Sequence, residues 1–317
     1  MPGIDLSVII PVYNEEKNLP IIYDRLLKVV AGLGVSYEFI FINDGSLDDS
    51  FTIIKSLSKA NPNVRYIDFS RNFGHQVAVT AGLDTCQGNA TVIIDADLQD
   101  PPELIIDLYQ KMKEGFNVVY ARRRIRKGES FLKKVTAMVF YRIMDKITTV
   151  RIPIDTGDFR IIDRKIINTL KMMPEQQKYL RGQIAWAGFK QTFVEYDRDE
   201  RLQGTTGYTY SKMLRFAFDG ITSFSNFPLK FATLTGFIVS GISFVLILFA
   251  LYERIILHNT VRGWTSLILV ILFLGGIQLL SIGIIGEYIG RISANIRNRP
   301  LYVVNETNIT ELNNKQL

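Results

Sequence analysis

The chain has 317 residues and a formal net charge of +6, with 37 Lys and Arg against 31 Asp and Glu. That length exceeds what one core needs, so a domain of catalytic size plus an additional part is expected. The single cysteine, Cys86, excludes an intrachain disulfide and suits a reducing compartment, and the basic excess fits anionic lipid headgroups and phosphorylated ligands without requiring nucleic acid.

The amino terminus, MPGIDLSVII, lacks the basic region and long apolar stretch of a signal peptide. From Leu6 to about Tyr120, short β-rich runs alternate with amphipathic segments. LSVII, EFIFI, VRYIDF, ATVII and NVVYA predict strands, and the segments around Leu19 to Val30, Phe51 to Leu57, Val77 to Leu83 and Leu104 to Met112 predict helices. This alternation specifies an α/β domain with a mainly parallel sheet, in which ligands bind outside the carboxyl ends of the strands. Polar clusters fall at those ends: Pro11, Tyr13, Asn14 and Glu15 after the first strand, Asn43, Asp44, Gly45 and Ser46 after the second, Asp95 and Asp97 after the fourth.

In VIIDADLQDPPE, two aspartates separated by one residue, at a strand end and in a turn, can both reach one hard cation. Mg2+ or Mn2+ fits such oxygen ligands, with Asp95, Asp97 and Gln99 as the metal candidates, and Pro101 and Pro102 turn the chain away. Asp100 and Glu103 are expected to cap and charge the next helix start. Dinucleotide binding is disfavoured because PVYNEE, the turn after the first strand, holds no glycine, and no G-x-x-x-x-G-K phosphate loop occurs.

After Ala121 comes a dense basic run, ARRRIRKG. Two stretches mixing apolar and cationic residues at helical intervals, near 129–148 and 208–226, are expected to lie in a membrane interface, with packing on the sheet the alternative for the first. Phe231 to Tyr252 and Gly263 to Gly286 contain no charged residue, and each is long enough to cross a hydrocarbon core of about 30 Å. Two transmembrane helices are therefore expected. Lys212, Arg215 and Lys230 before them and Arg291, Arg297 and Arg299 after them predict that the catalytic part and both termini face the cytoplasm. The resulting division is 1–228 catalytic, 229–290 membrane and 291–317 tail. Gly286 and Gly290, spaced G-x-x-x-G, with Gly236 and Ser240 at the same interval, predict a homo-oligomer or packing of the two spans on each other.

Taken together, VIIPVYNEEKNL, FINDGSLDDS, RNFGHQVAVTAGLD, VIIDADLQDPPEL, DTGDFRIIDRK and YLRGQIAWAGF resemble the successive signatures of family 2 glycosyltransferases. They are most similar to the polyprenyl-phosphate hexose synthases, which include dolichol-phosphate mannose synthases and bactoprenol glucosyltransferases. The resemblance covers about residues 5 to 300. It implies a GT-A (Rossmann-like) nucleotide-sugar domain in which Pro11, Tyr13, Glu15 and Asp44 hold the base and ribose. Asp95 would face the nucleotide, and Asp97 with Gln99 would hold the metal on the diphosphate. Arg122 and Arg201 match the arginines that face the acceptor phosphate, with Arg124 and Arg126 assisting, and Asp158 matches the aspartate assigned as base or orienting group. The sequence departs from the pattern at Gly207, where a lysine is usual; Lys212 lies nearby.

The reaction implied is transfer of one hexose, glucose from UDP-glucose, to a polyprenyl phosphate at the inner (plasma) membrane, with Asp97 and Asp158 as the catalytic pair and Mg2+ or Mn2+ as cofactor. GDP-mannose or UDP-N-acetylglucosamine as donor, and a non-enzymatic sugar-nucleotide sensor or lipid flippase subunit, are the alternatives. A processive polysaccharide synthase is disfavoured, since it needs several spans and a Q-x-x-R-W sequence that this chain lacks.

Overall fold

The computed structural model describes residues 3–124, 156–197, 227–255 and 263–313. The expected interfacial stretches near 129–148 and 208–226, and with them Arg126, Arg201, Gly207 and Lys212, lie outside the described residues. The chain divides into two compact units; of the described residues, the first holds 3–124, 156–197 and 299–313, and the second holds the two long apolar helices.

The first unit is built on an eight-stranded sheet of order β7-β5-β6-β4-β1-β2-β3-β8. Its strands are β1 (Leu6–Val12), β2 (Tyr37–Asn43), β3 (Val64–Phe69), β4 (Ala90–Ile93), β5 (Val118–Arg123), β6 (Thr156–Asp163), β7 (Gln191–Tyr196) and β8 (Val304–Thr307). The helices are α1 (Leu19–Leu33), α2 (Ser50–Ala60), α3 (His75–Thr85), α4 (Leu104–Lys113), α5 (Arg164–Lys171) and α6 (Leu180–Trp186); α7 and α8 are the apolar pair, and a short α9 (Thr310–Asn313) ends the described chain. All seven residues of β1 are buried, as in a strand covered on both faces. Alternate side chains feed opposite cores: Val8 and Ile10 pack with Leu19, Ile22 and Leu26 of α1, while Ile9 packs with Ala78 and Val79 of α3. Helix α1 begins with Pro20 in its first turn and stops at Gly34, whose φ of 62° closes a left-handed cap on Val30. On the other face α3 lies close to the sheet, because a Cβ at Gly82 would come within 2.5 Å of Ile9 Cγ2.

The five strands and four helices expected up to Tyr120 are present, but the sheet is mixed. Pairs β1–β2, β1–β4, β2–β3 and β5–β7 are parallel, whereas β6 runs antiparallel between β4 and β5, and β8 antiparallel beside β3. The stretch TGDFR, residues 156–160, is thus the opening of a central strand, hidden in the sequence because Arg160 occupies an interior position where alternation calls for an apolar residue. Residues 304–307, expected to lie in a tail, complete the sheet. VNET sets the β-favouring Val304 and Thr307 around Asn305 and Glu306, which strands disfavour, and is held by specific bonds: Asn308 spans the β3 backbone, accepting from Tyr66 N at 2.8 Å and donating to Val64 O at 3.0 Å, and Glu306 pairs with Lys55 at 2.8 Å. The chain leaves the sheet from the end of β7 and re-enters it at the start of β8, both at the edge where β1, β2, β3 and β5 end.

The second unit consists of α7 (Phe227–Ile255, 29 residues) and α8 (Trp264–Arg297, 34 residues), which pack on each other. Both are long and apolar enough to cross a membrane, over Pro228–Leu246 and Phe273–Arg297. Their large apolar side chains point outward, Phe237 and Leu279 being about three-quarters exposed. Among the described residues, a Cβ added at Gly236, Gly286 or Gly290 meets nothing within 4 Å, so these glycines do not mediate the contact between α7 and α8.

The packing of β8 and α9 makes a specific prediction. Ile309, 2% exposed, belongs to the same core as α3 and α5. Ile309→Ala should cost about 2–5 kcal/mol and lower the unfolding midpoint of the protein in detergent by roughly 5–15 °C. An unchanged midpoint would show that the segment after α8 is not part of the folded core.

Candidate active site

At the sheet edge where the parallel strands end, a cavity of about 300 Å³ opens, lined in part by Pro11, Tyr13, Glu15, Asp44, Asp95 and Asp97. Residues from three separate strand ends therefore meet in one place. Arg122, Arg124 and Asp158 stand at the same edge, at the end of β5 and the start of β6, but do not line the cavity.

The backbone at the rim is held in unusual conformations. Asn14 has a φ of 56°, fixed by a bond from its N–H to Ser46 Oγ at 3.0 Å and one from Leu47 N to its Oδ1 at 2.8 Å. This clips the turn after β1 to the turn after β2. Leu98, between Asp97 and Gln99, has a φ of 59°, a conformation that costs a bulky residue about 1–3 kcal/mol. Burial of its side chain in the core compensates, and Gln99 N donates to Asp97 Oδ1 at 3.1 Å, so the turn that presents Asp97 is fixed from both sides. Gly45 has a φ of 67°, and a Cβ there would fall 2.5 Å from the Arg71 carbonyl carbon; only glycine lets the 71–74 loop approach. That loop gives Asp44 its partners, Phe73 N at 2.7 Å and Gly74 N at 3.0 Å. Burial nonetheless raises the Asp44 carboxyl above its ordinary value, against those two bonds. Glu15 accepts from Asn18 Nδ2 at 2.6 Å, and Tyr13 leaves its ring about half exposed over the cavity mouth.

Three further residues, His75, Arg160 and Arg181, belong to this edge. His75, the first residue of α3, lines the cavity and meets Asp95 Oδ1 through Nε2 at 2.7 Å. Burial alone would lower its pKa, but the Asp95 charge and hydrogen bond, with Asp158 beyond, lift it to about 9, so the pair is an imidazolium–carboxylate at neutral pH. Asp158 is gripped by two arginines: Arg160 Nη2 donates to Oδ1 at 2.7 Å, while Arg181 of α6 donates from Nε and Nη2 to the two oxygens, each at 3.1 Å. Burial would raise this carboxyl, yet the Arg181 and Arg160 charges hold it well below the usual carboxylate range. Arg160 is itself 1% exposed, with its guanidinium carbon 5.4 Å from the Tyr120 ring centre. A lone histidine in RNFGHQ and an arginine inside a β pattern were the available signals.

The remaining charged residues sort into exchangeable and fixed pairs. Arg122 lies 3.4 Å from the Phe193 ring centre and pairs with Glu195, and Arg124 lies 3.8 Å from both Glu195 and Asp197. Asp100, buried, accepts from the Tyr196 hydroxyl and so ties the metal-candidate turn to β7, and Arg123 stands 3.9 Å from it. Glu103 occupies the N-cap of α4 without a capping hydrogen bond and pairs instead with Arg25 of α1. The expected cap bond at Glu103 thus gives way to a tertiary contact, while its charge stays at the start of α4. Among the described residues no three His, Cys, Asp or Glu side chains form a ready metal cage. Asp95 and Asp97 offer hard oxygen donors that suit a divalent cation whose other ligands come from water and a bound anion.

The arrangement has relatives. The model of glycosyl transferase family 2 matches residues 7–171. An uncharacterized glycosyltransferase of Bacillus subtilis is 51% identical over 304 residues, covering 96% of this chain and 94% of that protein. A prophage-derived bactoprenol glucosyl transferase of Shigella flexneri is 40% identical over 302 residues, covering 95% and 98%, and a prophage homologue in Escherichia coli is 41% identical over 299 residues, covering 94% and 98%. Among solved structures, glucosyl-3-phosphoglycerate synthase of Mycobacterium tuberculosis aligns with a TM-score of 0.50 at 19% identity, covering 69% of this chain and 77% of that one, which shows the shared GT-A fold. With a family model over more than half its length and such relatives across nearly all of it, the chain belongs to glycosyl transferase family 2.

Proposed function

We propose that the protein transfers a single glucose from UDP-glucose to a polyprenyl phosphate on the cytoplasmic face of the inner (plasma) membrane, giving polyprenyl-phosphate glucose and UDP. The observation that carries this reading is the match to bactoprenol glucosyl transferases, which extends beyond the family model to take in the two apolar helices. Those helices would anchor the site beside its lipid acceptor.

In this reading the cavity takes the donor. Tyr13 offers an aromatic face for the base, and the Asp44 and Glu15 carboxylates accept from base N–H and ribose hydroxyl groups. Asp97, with Asp95 and Gln99, would hold Mg2+ or Mn2+, whose charge offsets that of the leaving diphosphate; the mycobacterial synthase of the same fold was crystallised with Mn2+ and UDP. An oxygen of the acceptor phosphate forms the new bond to the anomeric carbon as the bond to the diphosphate breaks. That oxygen is already ionised at neutral pH, so the protein has to position and neutralise it rather than deprotonate it. Arg122 suits this task because its present partner is weak. Both it and Glu195 are more than a third exposed, so solvent screens the pair and a phosphate can replace the carboxylate. Arg124, Arg126 and Arg201 are proposed to assist.

Two outcomes are expected. Purified protein given divalent cation and polyprenyl phosphate should release nucleoside diphosphate from UDP-glucose faster than from UDP-N-acetylglucosamine or GDP-mannose; absence of release with every donor would reject the enzymatic reading. Asp97→Ala should lower turnover by about 10²–10³ with the fold intact by thermal melt, and chelation of divalent ions should do the same to wild type. Undiminished turnover of Asp97→Ala without added divalent ion would remove the metal assignment.

A further inference from the structure

Of the two roles that the resemblance implies for Asp158, base and orienting group, its surroundings fit the second. A general base needs a lone pair on offer and a pKa near the working pH. The Asp158 carboxylate instead receives three N–H bonds, two from Arg181 and one from Arg160, and its side chain is only 20% exposed. Two guanidinium groups facing one carboxylate leave that group of three with a net positive charge. Arg160 Nη1 is buried with no hydrogen-bond partner, and its guanidinium is bonded to Asp158 Oδ1 and to the carbonyls of Gly157 and Asp158, so it serves as the fixed rear of the cluster. Arg181 is the outer member, its side chain 27% exposed. Helix α6, which carries it, is tied to α3 beside His75, since Leu180 N donates to Gln76 Oε1 at 3.3 Å, and the Arg181 and Asp158 charges both act on His75 in the donor cavity.

We propose that Asp158 is a positioning residue: backed by Arg160, it holds Arg181 by a two-point grip on the side of α3 that carries His75, and the Arg181 guanidinium binds phosphoryl oxygens during transfer. Those oxygens belong either to the diphosphate of the donor or to the phosphate of the acceptor, the shared chemistry being a planar cation that meets a tetrahedral anion with two N–H groups. The inference rests on the glycosyl-transfer reading above. The low basicity of a carboxylate held by two arginines agrees with it, as does an acceptor that brings no proton to remove.

The test compares the full-length wild type with Arg181→Ala, Asp158→Asn and the double variant, measuring UDP affinity by titration and kcat and KM for transfer from UDP-glucose to polyprenyl phosphate. Arg181→Ala should weaken UDP affinity or raise the acceptor KM by about tenfold or more. Asp158→Asn should reproduce that loss within about threefold, and the double variant should be no worse than the poorer single one, as for residues acting as a unit. A weakened UDP titration assigns the bound phosphate to the donor; an unchanged one with a raised acceptor KM assigns it to the acceptor. Arg181→Ala that changes neither quantity overturns the proposal. So does Asp158→Asn that abolishes turnover while Arg181→Ala retains it, because that is how a base behaves. Should Asp158→Asn fail to fold, having left the Arg160 charge buried without its counter-ion, the Arg181→Ala comparison decides alone. A wild type inert toward polyprenyl phosphate would remove the functional reading, and the UDP titration would still decide this one: weaker affinity in Arg181→Ala supports it, and equal affinity overturns it.

Discussion

Strand β6 runs against both its neighbours, with Ile93 of β4 and Tyr120 of β5 each opposite Arg160, and this register carries the Asp158 end of the strand to the edge where β4 delivers Asp95. Side chains in a strand alternate, so Asp158, Arg160 and Ile162 share the face covered by α3, α5 and α6, while Phe159 and Ile161 enter the opposite core. That face is where α3 supplies His75 and α6 supplies Arg181. A slip of one residue would turn Asp158 toward α4 and put Phe159 among the charges. The burial of Phe159 and Ile161 on one side and Ile162 on the other forbids the slip. The electrostatic content of the site is thus fixed by apolar packing that takes no part in it.

The same framework accounts for so many carboxylates in a basic chain. Each acid at the edge is matched by a different partner: Asp44 by two backbone N–H groups, Asp95 by an imidazolium, Asp100 by a tyrosine hydroxyl and Asp158 by two guanidinium groups. These pairs differ in how firmly they hold. Breaking a buried ion pair by removing one member costs about 3–5 kcal/mol, several times what an exposed pair contributes. Arg160 is therefore committed to the architecture, whereas the exposed pair of Arg122 and Glu195 holds less firmly. Position in the fold, more than residue type, separates the structural arginines from those that can meet a ligand.

How much of this could be read beforehand follows from what each feature depends on. The first four strands and their helices announce themselves by local periodicity, and because ligand sites of such sheets lie at strand ends, Tyr13, Asp44, Asp95 and Asp97 could be brought together on paper. Strand β6 could not, because its signal is interrupted by Asp158 and Arg160, whose burial makes sense only once each has the other. His75 was overlooked because a histidine acquires meaning from its neighbour, and Asp95 lies twenty residues away. Strand β8 is not legible as a strand because VNET owes its conformation to the edge of β3 and to Asn308, and four residues are too few to announce that. Local rules read Asp100 and Glu103 only against the next helix; their partners Tyr196 and Arg25 are distant in sequence and invisible to such a rule.

The place of β8 in the chain has a consequence for how the protein is made. Residues 304–307 cover the outer edge of β3, yet they are synthesised after α7 and α8. Until they emerge from the ribosome, β3 presents a row of unpaired backbone groups, the kind of edge on which other chains add. A nascent chain that stalls after its last apolar helix has every residue of the cavity in hand and still lacks the strand that seals the sheet. Chain order therefore makes the sheet wait for the apolar helices: its edge at β3 closes only after both have been produced.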